Sequence, residues 1–181
     1  MTTLPSEHKY VKILNEKMNH HGFQYKEGLN VDSVPFNPDG ECNAGGLYFT
    51  DQEHIHEFIS FGTLLADVCV PKNARVYQEH KKWKAEQIIL SNIRPIPYEI
   101  YLRAIKENYY ALSFIKNQTH QLCLEAVKHN RYALEFVKIQ TPKICMEAIK
   151  QNGLALQYAE VKTPELRLVA EKNLKSKMVV L

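Results

Sequence analysis

No stretch of the chain approaches the roughly 20 consecutive apolar residues of a membrane-spanning helix; the longest apolar runs lie within residues 61–70 and 178–181. The start, Met1-Thr-Thr-Leu-Pro-Ser-Glu7, lacks the apolar core of a signal peptide. A protein that is neither membrane-bound nor secreted is expected. Cysteine is scarce: Cys42, Cys69, Cys123 and Cys145 form no C-x-x-C pair, and reduced thiols in a cytoplasm-like compartment follow. With only 7 Gly and 8 Pro among 181 residues, disordered and collagen-like classes are excluded. Aspartate is absent from residues 95–181, where 13 basic groups face 8 acidic ones; residues 1–94 hold 10 and 12. The excess is modest, and the basic residues recur at helical intervals among glutamates. That pattern describes a solvated face and disfavours nucleic acid as the partner.

What the chain has in abundance is self-similarity. Thr119-His-Gln-Leu-Cys-Leu-Glu-Ala-Val-Lys-His-Asn130 returns as Thr141-Pro-Lys-Ile-Cys-Met-Glu-Ala-Ile-Lys-Gln-Asn152 and again from Thr163, at intervals of 22 residues. A further copy begins at Pro97, with Ala104, Asn108, Ala111 and Leu112 in register. Each unit reads as two short helices. Thr or Thr-Pro supplies an N-cap hydroxyl and a proline harmless in the first turn. Ile144, Cys145, Ala148 and Ile149 form one stripe of a 3.6-residue period, and Asn152-Gly153 reads as a left-handed stop. Asn108, Asn130 and Asn152 are accordingly expected as helix C-terminal caps, and Cys123 and Cys145 as packed thiols. Neither helix buries its stripe alone, so the hairpins must stack, the logic of an α-solenoid.

The first half reads as a small mixed α/β piece. Tyr10–Leu14, Phe23–Tyr25, Leu47–Phe49, Leu64–Val70, Ala74–Tyr77 and Gln87–Leu90 are expected strands. Residues 28–46 read as one long loop with turns at Pro35, Pro38 and Asp39-Gly40, holding Glu41 and Cys42. Thr50 and Glu53 form a capping box before a helix with the stripe Ile55, Phe58 and Ile59, ended by Gly62. His20, His21, His54, His56 and His80 with Cys42 invite zinc, but His54 and His56 stand two apart on that helix and point away from each other, so no metal site is assigned. The expected organisation is α+β: residues 1–94 a small α/β domain, residues 95–181 an all-α solenoid of helical hairpins.

The pattern Thr-Pro-x-[Ile/Leu]-Cys-x-Glu-Ala-[Val/Ile]-Lys-x-Asn-x-x-Ala-Leu, over roughly residues 97–174, resembles a family of short helical repeats of unknown function found in proteins of mimivirus-type giant DNA viruses. The stretch from Gly28-Leu-Asn30 to Gly46-Leu-Tyr-Phe-Thr50 is similar to the leading segment of those proteins. The resemblance names no activity and implies a protein acting in the cytoplasm of the infected host; the stacked repeats, an elongated face of many similar side chains, point to a non-catalytic interaction protein that holds a protein partner and needs no cofactor. Gly45-Gly-Leu-Tyr-Phe-Thr50, leading toward a helix and the strand Leu64–Val70, also resembles the central part of ADP-ribosyltransferases related to the poly(ADP-ribose) polymerases. That second resemblance implies NAD as cofactor, bound by His21, Gly22 and Tyr48, with Glu86 stabilising a cationic transition state. The plain alternatives are a turn residue for His21, a half-buried strand aromatic for Tyr48 and a solvated charge for Glu86.

Overall fold

The computed structural model describes Leu4, residues 9–38 and residues 42–178; the turn expected at Asp39-Gly40, and Glu41, lie outside the described residues. The chain divides into two compact units, Met1–Pro97 and Tyr98–Leu181. The molecule is α+β.

In the first unit the strands are β1 (Tyr10–Leu14), β2 (Asn19–His20), β3 (Phe23–Gln24), β4 (Gly28–Val31), β5 (Leu47–Asp51), β6 (Leu64–Cys69), β7 (Val76–Glu79), β8 (Lys82–Ala85) and β9 (Gln87–Pro95). Seven of them form a sheet in the order β4-β9-β6-β1-β5-β8-β7, with every pairing antiparallel. The mixed α/β expectation gives way to an antiparallel sheet whose helical segment, Ile55–Phe61, is a 3-10 helix. β8 and β9 stand four places apart in the sheet, yet a single residue, Glu86, joins them along the chain. The sheet must therefore roll up. Glu86 is its corner: its carbonyl accepts from the Asp32 N–H at 2.9 Å, and its own N–H donates to Arg75 O at 3.2 Å. Tyr10, Leu14, Phe49, Ala66, Trp83, Ala85, Ile88 and Leu90 fill the inside of the roll. Fully burying each of the larger ones contributes roughly 1.5–3 kcal/mol.

Two local expectations are corrected, and Gly62 ends the helix as expected. Residues 28–31 leave the predicted loop to become an edge strand, because Asn30 buries its amide and bonds the Lys26 N–H at 2.9 Å and the Gly28 carbonyl at 2.9 Å. The capping box does not form, since β5 runs on through Thr50, whose hydroxyl donates to Lys81 O at 2.6 Å; Asp51 Oδ1 instead accepts the His54 N–H at 2.8 Å. Gly62 follows the 3-10 helix with extended backbone, and its role is space: a Cβ there would stand 2.0 Å from Leu14 O.

The second unit holds α1 (Tyr98–Glu107), α2 (His120–His129), α3 (Pro142–Gln151) and α4 (Pro164–Met178). The first three are each followed by a 3-10 turn, at Tyr109–Phe114, Arg131–Phe136 and Gly153–Tyr158. Thr119 and Thr141 cap α2 and α3 through their hydroxyls, accepting the N–H of Leu122 and Ile144. The asparagines stand at the ends of the α-helices as expected, but their backbone is extended rather than left-handed. The next element starts at once, and each Asn side chain caps it by accepting the N–H two residues on, in Tyr110, Tyr132 and Leu154. Consecutive α-helices pack on each other, as do consecutive 3-10 turns. Ala126, Val127, Leu134, Ala148 and Ile149 are sealed completely between them.

Candidate functional site

β1 and β5 pair at only two positions, Tyr10 with Asp51 and Val11 with Thr50. Beyond Val11 they part. A cleft of about 110 Å³ opens in the gap, lined by Val11–Ile13 on one side and Tyr48–Thr50 on the other. Ile55, Phe58 and Phe61 of the 3-10 helix give it an apolar wall, and His20, His21, Cys42 and Lys82 bring polar groups to it. The seam is bridged by a side chain: Lys12 Nζ donates to Tyr48 O at 2.6 Å. Lys12 shares a face of β1 with Tyr10 and Leu14, so it points into the roll, where it is 5% exposed with Nζ 4.5 Å from the centre of the Tyr25 ring. Burial disfavours the ammonium and brings the group down to about 7. Burial, with Lys12 and His21 nearby, likewise brings His20 down to about 4.

At one side of the cleft lies a polar cluster. Tyr48 donates its hydroxyl proton to Glu79 Oε2 at 3.1 Å, and the Cys42 N–H donates to Glu79 Oε1 at 3.3 Å. Lys82 Nζ stands 3.1 Å from Glu79 Oε1 and 2.9 Å from Cys42 Sγ. Burial works against the Glu79 carboxylate, but the bonds from Lys82 and Tyr48 outweigh it and hold the group below its ordinary range. The bonds from Lys82 to Cys42 and Glu79 outweigh its own burial and push it up. The phenol of Tyr48, desolvated and facing Glu79, is pushed up.

The residues implied by the transferase resemblance separate here. His21 and Gly22 are the two central residues of the β2–β3 hairpin, both with positive φ, as a type I′ turn requires. His21 reaches the cleft mouth and Tyr48 its flank, so the structure brings these two together. Glu86 is elsewhere: at the sheet corner its carboxylate accepts from the N–H and Nε of Arg75 at 2.9 and 2.8 Å and borders a separate open depression. The three do not form one site. The cleft is also small beside the several hundred Å³ typical of a drug-sized ligand's pocket.

In the repeat unit two features went unread in the sequence. Gln118 and Gln140, 22 residues apart, each sew one repeat to the next. Gln140 Nε2 donates to Leu134 O at 2.9 Å and Tyr158 O at 3.0 Å, while its Oε1 accepts the Glu160 N–H at 2.9 Å; Gln118 does the same with Leu112, Phe136 and Lys138. The Cys123 and Cys145 thiols donate to the oxygens of these two glutamines at 3.6 Å. In the final copy Lys162 replaces the Gln and Arg167 the Cys, and Arg167 Nε bonds Lys162 O instead. The second feature is an aromatic row on the 3-10 turns. Tyr110 meets Phe114 and Phe136 at 5.3 and 5.0 Å, Tyr109 meets Tyr132 at 5.8 Å, and Tyr132 meets Tyr158 at 5.6 Å. Arg131 lies over Tyr132 at 4.4 Å. The signal for both was the 22-residue spacing applied to Gln118 and Gln140 and to Phe114 and Phe136.

Among the described residues, no helix is long and apolar enough to cross a membrane. Residues 120–167 match a domain of unknown function, DUF4116. The chain is 45% identical over 64 residues to a protein of Acanthamoeba polyphaga mimivirus named as an ankyrin repeat protein, covering 34% of this chain and 32% of the relative. An uncharacterized protein of the same virus matches at the same identity and length, covering 34% of this chain and 46% of the relative. Another of its proteins named for ankyrin repeats is 32% identical over 107 residues, 50% of this chain and 35% of the relative. The chain thus spans between a third and a half of the length of these curated relatives. No solved structure matches it significantly. The 22-residue period is shorter than the roughly 33 residues of an ankyrin repeat. The chain's homologues are giant-virus proteins, and its second unit carries a domain to which no function is attached.

Proposed function

We propose that the chain is a non-catalytic interaction protein of a giant virus, a solenoid-like stack of helical hairpins that holds a protein partner in the cytoplasm of the infected host. The observation that carries this reading is the aromatic row of the 3-10 turns, in which Tyr110 and Phe114 remain 46% and 45% exposed. Tyr, Phe and Arg are enriched in protein interfaces, where rigid rings bury large areas at little cost in side-chain entropy. Here they recur along consecutive repeats with Arg131 among them, and Leu154, 49% exposed, continues the row. The names of two mimivirus relatives, which refer to ankyrin repeats, support an interaction role. An NAD-using transferase lacks comparable support, since Glu86 stands outside the cleft that holds His21 and Tyr48.

The test is affinity capture from infected host cells with the wild-type chain and a Tyr110→Ser, Phe114→Ser double variant. Both positions are half-exposed, so the variant keeps the core. A protein retained by the wild type and lost by the variant supports the reading. An identical set of retained proteins overturns it.

A further inference from the structure

The cleft between β1 and β5 has chemistry that a protein-docking role leaves unused. We propose that it binds a small carbonyl compound, an aldehyde or ketone with an apolar body, which Lys12 captures through Nζ as a Schiff base.

The geometry comes first. Lys12 is a buried lysine whose one hydrogen-bond acceptor is the neutral carbonyl of Tyr48; no carboxylate of the described residues pairs with it. A buried ammonium without a counter-charge is costly, so the free amine is favoured. The groups that face it are His20 and His21 from the hairpin, Tyr25 beneath, and Tyr48, Cys42 and Lys82 across the gap, with Glu79 held behind Tyr48. At neutral pH Lys12, brought to about 7, is half unprotonated. An ordinary lysine, near 10.4, has roughly one free amine in a thousand or fewer. A desolvated lysine in an apolar pocket is an activated nucleophile.

The walls then set the ligand. Ile55, Phe58 and Phe61 suit a hydrocarbon body. An apolar cavity of about 150 Å³ holds benzene, so one of about 110 Å³ encloses roughly four or five non-hydrogen atoms, with any remainder at the open mouth. In the reaction the Nζ lone pair forms a bond to the carbonyl carbon, and the C=O π pair moves to oxygen, which takes up a proton. Nitrogen gives up a proton to reach the carbinolamine. Loss of the hydroxyl as water, as the nitrogen pair forms C=N, completes the imine. Amine and carbonyl become imine and water, with no oxidant or reductant.

The experiment uses the full chain, butanal as probe, and cyanoborohydride to reduce any imine to a stable secondary amine, followed by peptide mapping. At pH 7 Lys12 is expected to be alkylated at least tenfold faster than any other lysine, its rate rising with pH through about 7 and levelling off while surface lysines still accelerate. Glyoxylate, an aldehyde with a charged body, should show at least a fivefold smaller preference for Lys12 over surface lysines. Labelling confined to surface lysines, or a Lys12 rate no faster than theirs, overturns the proposal. Equal preference for the two aldehydes overturns the apolar ligand class. Both readouts are made on the wild-type protein, and neither depends on the aromatic row of the repeats.

Discussion

Lys12 Nζ and the carbonyl oxygen of Tyr48 stand 2.6 Å apart across a seam that the two backbones have ceased to pair. A side-chain N–H does there what a strand N–H would otherwise do. Its protonation is therefore tied to folding. The folded chain gives up the Lys12 proton near pH 7 and the unfolded chain near 10.4. Between those values the unfolded chain holds more protons, so stability rises with pH across that window. The burden of burying the charge is full below about pH 7 and is relieved progressively up to about 10.4, on the order of 5 kcal/mol for the whole shift. Lys12→Met, apolar and of similar length, removes the dependence. Urea unfolding at pH 6, 8 and 10 should find the variant more stable at pH 6, with the difference closing by pH 10.

His20 gives the same sign at a lower pH. Its folded value of about 4 lies below the ordinary 6.5, so acidification from 6.5 through 4 protonates the unfolded chain first and weakens the fold. A nuclear magnetic resonance titration should place the His20 ring near 4. His20→Phe, which keeps an aromatic ring 5.1 Å from Phe61, should flatten the decline in stability over that range.

Gln140 is the strongest candidate for a costly polar substitution in the repeats. Gln140→Ala removes the bonds to Tyr158 O and the Glu160 N–H and one of two to Leu134 O, which keeps the Val137 N–H at 3.3 Å. A loss of about 1–3 kcal/mol is expected by chemical denaturation. Gln151→Ala, an exposed change that removes a bond to Glu147, should cost less than about 0.5 kcal/mol.

The four thiols should divide into two pairs. Cys42 and Cys69 are exposed, whereas Cys123 and Cys145 are buried in the repeat core, where burial pushes their thiols up. An aromatic disulfide reagent should titrate two thiols in the native protein and four after denaturation, with mass spectrometry placing the fast pair at Cys42 and Cys69.

The repeats were legible because each unit carries its own start signal. Thr119 and Thr141 cap the helices they were expected to cap. The asparagines misled because the same residue type serves a left-handed stop and an N-cap, and only the shortness of the interval to the next turn decides between them. In the first unit, β8 escaped notice because Lys82-Trp-Lys-Ala85 looks like a solvated segment. Lys84 is in fact completely buried, its Nζ 5.5 Å from the Tyr48 ring and 5.9 Å from that of Tyr77, rings contributed by the two strands that flank β8, of which β5 is distant in sequence. The cleft could not be read locally either, since it arises where pairing between β1 and β5 stops. Lys12 was the available hint: a lone charge inside Tyr10-Val-Lys-Ile-Leu14, a strand buried at every position.

The glutamine stitches have a consequence for size. Each one looks back to its own turn and forward to the following turn, and the groups it needs are supplied afresh in every 22 residues. Copy number is thus a free variable: splicing a duplicate of residues 119–140 in front of Thr141 would offer each new joint the same donors and acceptors. A chain lengthened this way should stay folded and extend the row of rings by one increment, which makes reach, rather than chemistry, the property this architecture can most readily vary.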